Sequence, residues 1–137
     1  MSAGVFRVMK CDASGNAPQV EASARGLGVR PLDLAPCTLG LAHPCQGGMS
    51  VAPTLQDLPT HRVPERLGHL VEGASGHDSD RVWAFGSVAF STGPLAVGLA
   101  LRVTSRSHGV VEPDEQCPFP RYVAHLAATA SQWVVGE

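Results

Sequence analysis

Fifteen glycines and eleven prolines are spread through 137 residues, so regular structure in this chain is interrupted often. Glycine loosens the backbone and proline stops regular hydrogen bonding, so their density predicts short elements and much loop. The length suits one domain, residues 1–137, around one core. With 44% hydrophobic and 16% charged residues, the chain is globular rather than disordered.

The net charge of −2 provides no basic field for a nucleic acid duplex or an anionic membrane. The longest mostly apolar stretch, Pro94 to Val103, is broken by Gly98 and Arg102 and is too short to span a bilayer. The N-terminus lacks a cationic start, an apolar run and a small-residue cleavage site, so a cytoplasmic location is expected. Cys11, Cys37, Cys45 and Cys117 contain no Cys-x-x-Cys pair, which argues against structural zinc and for free thiols partly in the core. Cys37, His43 and Cys45 remain open as a small metal or redox clip.

Along the chain, Val5 to Met9 reads as a strand carrying Arg7 at its centre. Asp12 to Asn16 reads as a turn, and Pro31 to Gly48 as a long connection. Met49 to Ala52 reads as a strand stopped by Pro53, and Leu55 to Pro59 as a helical turn. Pro64 is placed to open a short helix through Leu70. Three later segments read as strands: Val82 to Phe85, Leu95 to Val103 with a bulge or bend at Gly98, and His108 to Pro113. A closing helix is predicted from Pro120, with Phe119, Val123, Leu126, Ala127, Ala130 and Val134 at helical spacing. This order predicts an α+β fold with small mixed or antiparallel sheets and a C-terminal helix. Neither a Gly-x-Gly-x-x-Gly helix start nor a Gly-Lys-Ser/Thr phosphate loop is present, which excludes the common nucleotide-binding motifs.

The chemistry-bearing residues are few. Arg7 sits in an apolar strand and needs an anion if it is buried, because an unpaired buried guanidinium is costly. Otherwise it alternates out to solvent. Gly47-Gly48 permits a close approach of a ligand or another chain segment, and Ser50 presents a hydroxyl just after it. Glu112 ends a strand as a candidate base or cation stabiliser, or it solubilises a loop. His108, four positions earlier, falls on the same strand face by period-two alternation.

Three of these pieces, in order, resemble the compact ADP-ribosyltransferase-like toxins delivered by bacterial type VI secretion. The pieces are Phe6-Arg7, then Gly47-Gly48-Met49-Ser50-Val51, then Ser107 to Pro113 leading into Arg121-Tyr122. The resemblance implies two small sheets forming a cleft that binds NAD. It casts Arg7 as a binder of the cofactor's phosphates, Ser50 as the strand residue supporting the nicotinamide ribose, and Gly48 as a further cofactor-binding residue. Glu112 or His108 is then the catalytic group that helps break the nicotinamide–ribose bond. The Glu-x-Glu or Gln-x-Glu context of such enzymes is absent, because Val110-Val111 precedes Glu112. A macromolecular acceptor or an immunity protein is the partner that the resemblance implies. The alternative is a non-catalytic module that binds a protein or small ligand through the Pro31 to Gly48 connection.

Overall fold

The computed structural model describes residues 4–34, 40–86 and 88–137. Cys37 and part of the predicted Pro31 to Gly48 connection therefore lie outside the described residues. The elements follow in order: β1 (Phe6–Lys10), β2 (Leu41–Ala42), β3 (Met49–Val51), β4 (Asp80–Phe85) and β5 (Gly93–Ala96). Then come β6 (Leu99–Ser105), β7 (His108–Pro113), β8 (Cys117–Pro118), α1 (Phe119–Ala127) and β9 (Trp133–Val135). The strands form a three-stranded sheet β1-β4-β9, a four-stranded sheet β3-β7-β6-β5 and a small pair β2-β8. Every ladder is antiparallel. The fold is thus α+β, with mostly antiparallel sheets and, among the described residues, one α-helix near the C-terminus.

One antiparallel bridge joins the two larger sheets. Phe6 and Ala52 exchange both backbone hydrogen bonds, at 2.8 and 2.9 Å. The main core lies between the sheets and α1, built from Met9, Trp83, Met49, Leu101, Tyr122 and Trp133 among others. A second cluster covers the other face of β1 and β4, where Val8 and Val82 pack on Leu58, Val63, Leu67 and Val71. Strand alternation puts Val5, Arg7 and Met9 together on the main-core side and Val8 on the other.

Three expectations about element boundaries are corrected. Leu95 to Val103 is not one bent strand but the hairpin β5–β6. Gly98 adopts φ +75°, a left-handed backbone that a side chain resists, so the chain reverses there. A Cβ at Gly98 would also collide with the His125 ring of α1. The closing helix does not reach Val134. Thr129 hydroxyl donates to Leu126 O at 2.7 Å and accepts from Trp133 Nε1 at 3.0 Å, and the chain then enters β9 beside β4. There the Trp133 ring meets Phe85 edge-on at 5.1 Å. The segment from Pro64 is likewise one 3-10 turn, Glu65–Leu67, followed by turns. Among the described residues, no helix is long and apolar enough to cross a membrane.

The buried face of α1 is Tyr122 and Leu126, one helical turn apart, with Phe119 and Val123 at its border. Tyr122 is fully buried; its hydroxyl donates to Val111 O of β7 and accepts from Met49 N of β3 at 3.2 Å. Burial pushes the Tyr122 phenol well above its ordinary pKa, so it stays a neutral donor. Gly48 is glycine for this reason: a Cβ there would stand 2.5 Å from Val111 O and 2.9 Å from the Tyr122 hydroxyl.

Replacing Tyr122 by Phe should therefore cost about 1–3 kcal/mol, read as a lower denaturation midpoint at unchanged slope. Glu137 supplies a pH-dependent counterpart. It accepts from Arg66 at 2.6 Å, Arg81 at 2.5 Å and Val82 N at 3.1 Å. Burial raises its carboxyl pKa, but these hydrogen bonds outweigh that and hold it below the usual 4.5. A depressed folded-state pKa stabilises above the unfolded value and is lost as pH falls. Glu137→Gln should cost about 1–2 kcal/mol at neutral pH. The gap from the parent protein should close as pH drops through and below 4.5.

Candidate functional site

β1 and the residue after β3 are joined by the bridge of Phe6 to Ala52, and on the β3 side of that bridge the guanidinium of Arg7 takes over from backbone pairing. Arg7 does not alternate out to solvent; it is 8% exposed. Its Nη1 donates to Ser50 O at 2.8 Å, and Nε and Nη2 donate to Gly26 O at 3.2 and 3.1 Å. Nη2 also reaches Ser23 O at 3.2 Å and Ala24 O at 3.4 Å. Among the described residues, no carboxylate lies within salt-bridge distance of it. Asp12, one anion that could have met it, caps its own turn through Ser14 and Gly15. Burial pushes the Arg7 pKa down to about 10; nearby Asp33 and Tyr122 work against that, and Arg62 and Arg30 add to it. It remains a cation at neutral pH.

A cleft of about 410 Å³ opens beside this guanidinium. Arg7, Gly48, Ser50 and His108 all line it, so four of the five residues singled out from the sequence converge. Gly48 contributes backbone, and its lack of a side chain is explained by Val111 and Tyr122. Ser50 points its side chain outward from β3, in the buried–exposed–buried pattern of that strand. The group of Ser50 that meets Arg7 is its carbonyl, which leaves the hydroxyl at the cleft. His108 is exposed at the start of β7, and its Nδ1 lies 2.6 Å from Thr104 Oγ1. Thr104 also donates to the His108 carbonyl at 3.0 Å.

Glu112 is not among the residues lining the cleft. It is 4% exposed, accepts from Arg102 Nε at 2.5 Å and accepts from Cys45 N at 2.7 Å. Cys45 adopts φ +65° in presenting that amide. The shared face expected for His108 and Glu112 follows from alternation along β7, yet only His108 reaches the cleft. Arg102 lies opposite Val110, one diagonal from Glu112, and this cross-strand pair takes the carboxylate.

Two cleft residues had no signature in the sequence reading. Arg30 forks onto Asp33, with Nη2 3.0 Å from Oδ1 and Nε 3.2 Å from Oδ2. Burial raises the Asp33 pKa, but Arg30 outweighs it and the carboxyl stays below its usual value. The three-residue spacing of Arg30 and Asp33 was a weak available signal. The Arg62 side chain, half-buried at the cleft, makes no hydrogen bond or ion pair among the described residues. Nothing local in the sequence marks it. Among the described residues, no three His, Cys, Asp or Glu side chains are grouped to hold a metal ion. Cys37, the third member of the clip with His43 and Cys45, lies outside them.

No protein-family model matches this chain, and neither a curated protein nor a solved structure matches it.

Arg7→Met keeps the stem and removes every donor. It should leave the carbonyls of Ser23, Ala24, Gly26 and Ser50 without their partner and cost about 3 kcal/mol or more, measured by chemical denaturation.

Proposed function

We propose that the protein binds NAD in the cleft beside Arg7, as a small ADP-ribosyltransferase-like binding module. The observation that carries this reading is the convergence of Arg7, Gly48, Ser50 and His108 on one concavity. Its volume of about 410 Å³ suits a small-molecule site. Its charge suits an anion: Arg7, Arg30 and Arg62 face only Asp33 and Asp57, in a chain whose net charge is −2. Exposed Ser50 and His108 supply hydrogen-bonding groups for a ribose or an amide.

Binding is favoured over cleavage. Breaking the nicotinamide–ribose bond builds positive charge on the ribose, and an adjacent free carboxylate is what stabilises it. Glu112 is held by Arg102, Asp33 by Arg30, and Asp57 accepts from the Thr54 hydroxyl at 2.8 Å. A toxin that passes ADP-ribose to a macromolecular acceptor, and is restrained by an immunity protein, is the second reading. The exposed His108 at the cleft favours it.

Calorimetric titration of the purified protein with NAD tests the first reading. Binding in the micromolar range, about −7 to −8 kcal/mol, is the expected result, with no nicotinamide released by chromatography. Glu112→Gln should leave the affinity within about twofold. Absence of any NAD binding overturns the reading, and steady nicotinamide release transfers support to the enzyme.

A further inference from the structure

The cleft has a neighbour. A second hollow of about 290 Å³, lined by Lys10, Glu21 and Arg25, shares Ala24, Arg30 and Arg62 with it. Shared lining means that the two hollows adjoin, with the two arginines at the junction. The other cations nearby are engaged. Lys10 is tied to Glu21 at 3.0 Å, and Arg25 grips Asp80 through two contacts of 2.7 Å. Arg7 spends Nε and Nη2 on carbonyls and keeps one Nη1 hydrogen beyond Ser50 O. Arg62 alone among these has its whole fork uncommitted within the described residues, and Arg30 lines both hollows with it.

We propose that Arg62, with Arg30 beside it, is the phosphate-holding group of this protein. The ligand it fits has an anionic linker between two bulky ends, in the manner of a dinucleoside diphosphate, with one end in each hollow. A free guanidinium fork matches two phosphate oxygens at once, and a half-buried position strengthens that bond by limiting water. The larger hollow falls within the size range of small-ligand sites and the smaller at its lower edge, so each end of a divided ligand has its own space. Arg7 is then a positioning residue. It ties the segment 23–26 to β3, and that segment contributes Ala24 to the wall. The identity of the ends rests on the NAD reading; the place of the linker does not.

The test is calorimetry on the full chain with NAD, ADP-ribose, AMP and inorganic pyrophosphate, using the parent, Arg62→Ala and Arg62→Lys. The Arg62 side chain makes no hydrogen bond or ion pair in the fold among the described residues, so both variants should keep the parent's unfolding midpoint. NAD and ADP-ribose should bind about tenfold or more tighter than AMP. Arg62→Ala should weaken NAD, ADP-ribose and pyrophosphate by about 10- to 100-fold, and Arg62→Lys should recover part of that loss. NAD binding that is equal in parent and Arg62→Ala overturns the inference while the NAD reading stands. Pyrophosphate binding that needs Arg62, without NAD binding, overturns the NAD reading and upholds the junction. AMP as tight as ADP-ribose removes the two-hollow ligand. No binding of any probe overturns both.

Discussion

A single buried cation organises the region where the sheets of this protein meet. Arg7 rises from β1 on the side of the main core, where its neighbours Val5 and Met9 are fully buried. Little of its side chain reaches water, so its guanidinium is satisfied mainly by the protein itself. The solution is a set of backbone carbonyls from two distant segments, 23–26 and Ser50. Carbonyls carry only partial charge, so the side chain is hydrogen-bonded but its positive charge is not neutralised. That residual charge faces the cleft, which therefore has a reason to attract anions independent of any resemblance.

The cleft exists because β1 and β3 part company. They share one bridge and then diverge, and the Arg7 side chain spans the gap that backbone pairing leaves. β3 cannot follow β1, because its other edge is committed to β7 over three residue pairs. Tyr122 reinforces that commitment by bonding both strands from beneath, and the missing side chain at Gly48 makes room for it. Stability at the helix–sheet contact and openness at the cleft thus share one cause.

The same sheet explains why one carboxylate is removed from the site and one histidine is not. Glu112 lies deep enough to need a partner, and the antiparallel register brings Arg102 within its reach. His108 lies at the strand's start, where the β6–β7 turn leaves it exposed. Four residues along one strand separate a hydrogen-bonded structural ion pair from a side chain free to meet a ligand.

Local sequence determined what local physics controls. The apolar runs around Arg7, at Met49 to Val51 and at Val110-Val111 become strands, Asp12 to Asn16 becomes a turn, and Pro120 sits in the first turn of α1. Gly48 was visible as a place of close approach, though whether a ligand or the chain itself came close was not. Tertiary structure decided the rest. The end of α1 depends on Trp133 finding Phe85 and Thr129, and those partners are separated from it in sequence or act only once the chain is folded. A glycine at 98 serves a bend or a full reversal equally well, and the pairing of β5 with β6 decides for the reversal. Arg62 carries no mark in its neighbours, because its place at the junction is set by segments more than thirty residues before it. Charge and periodicity act over a few residues and can be read from the chain. Which cation keeps its donors free depends on where every acceptor ends up, and only the packed fold decides that.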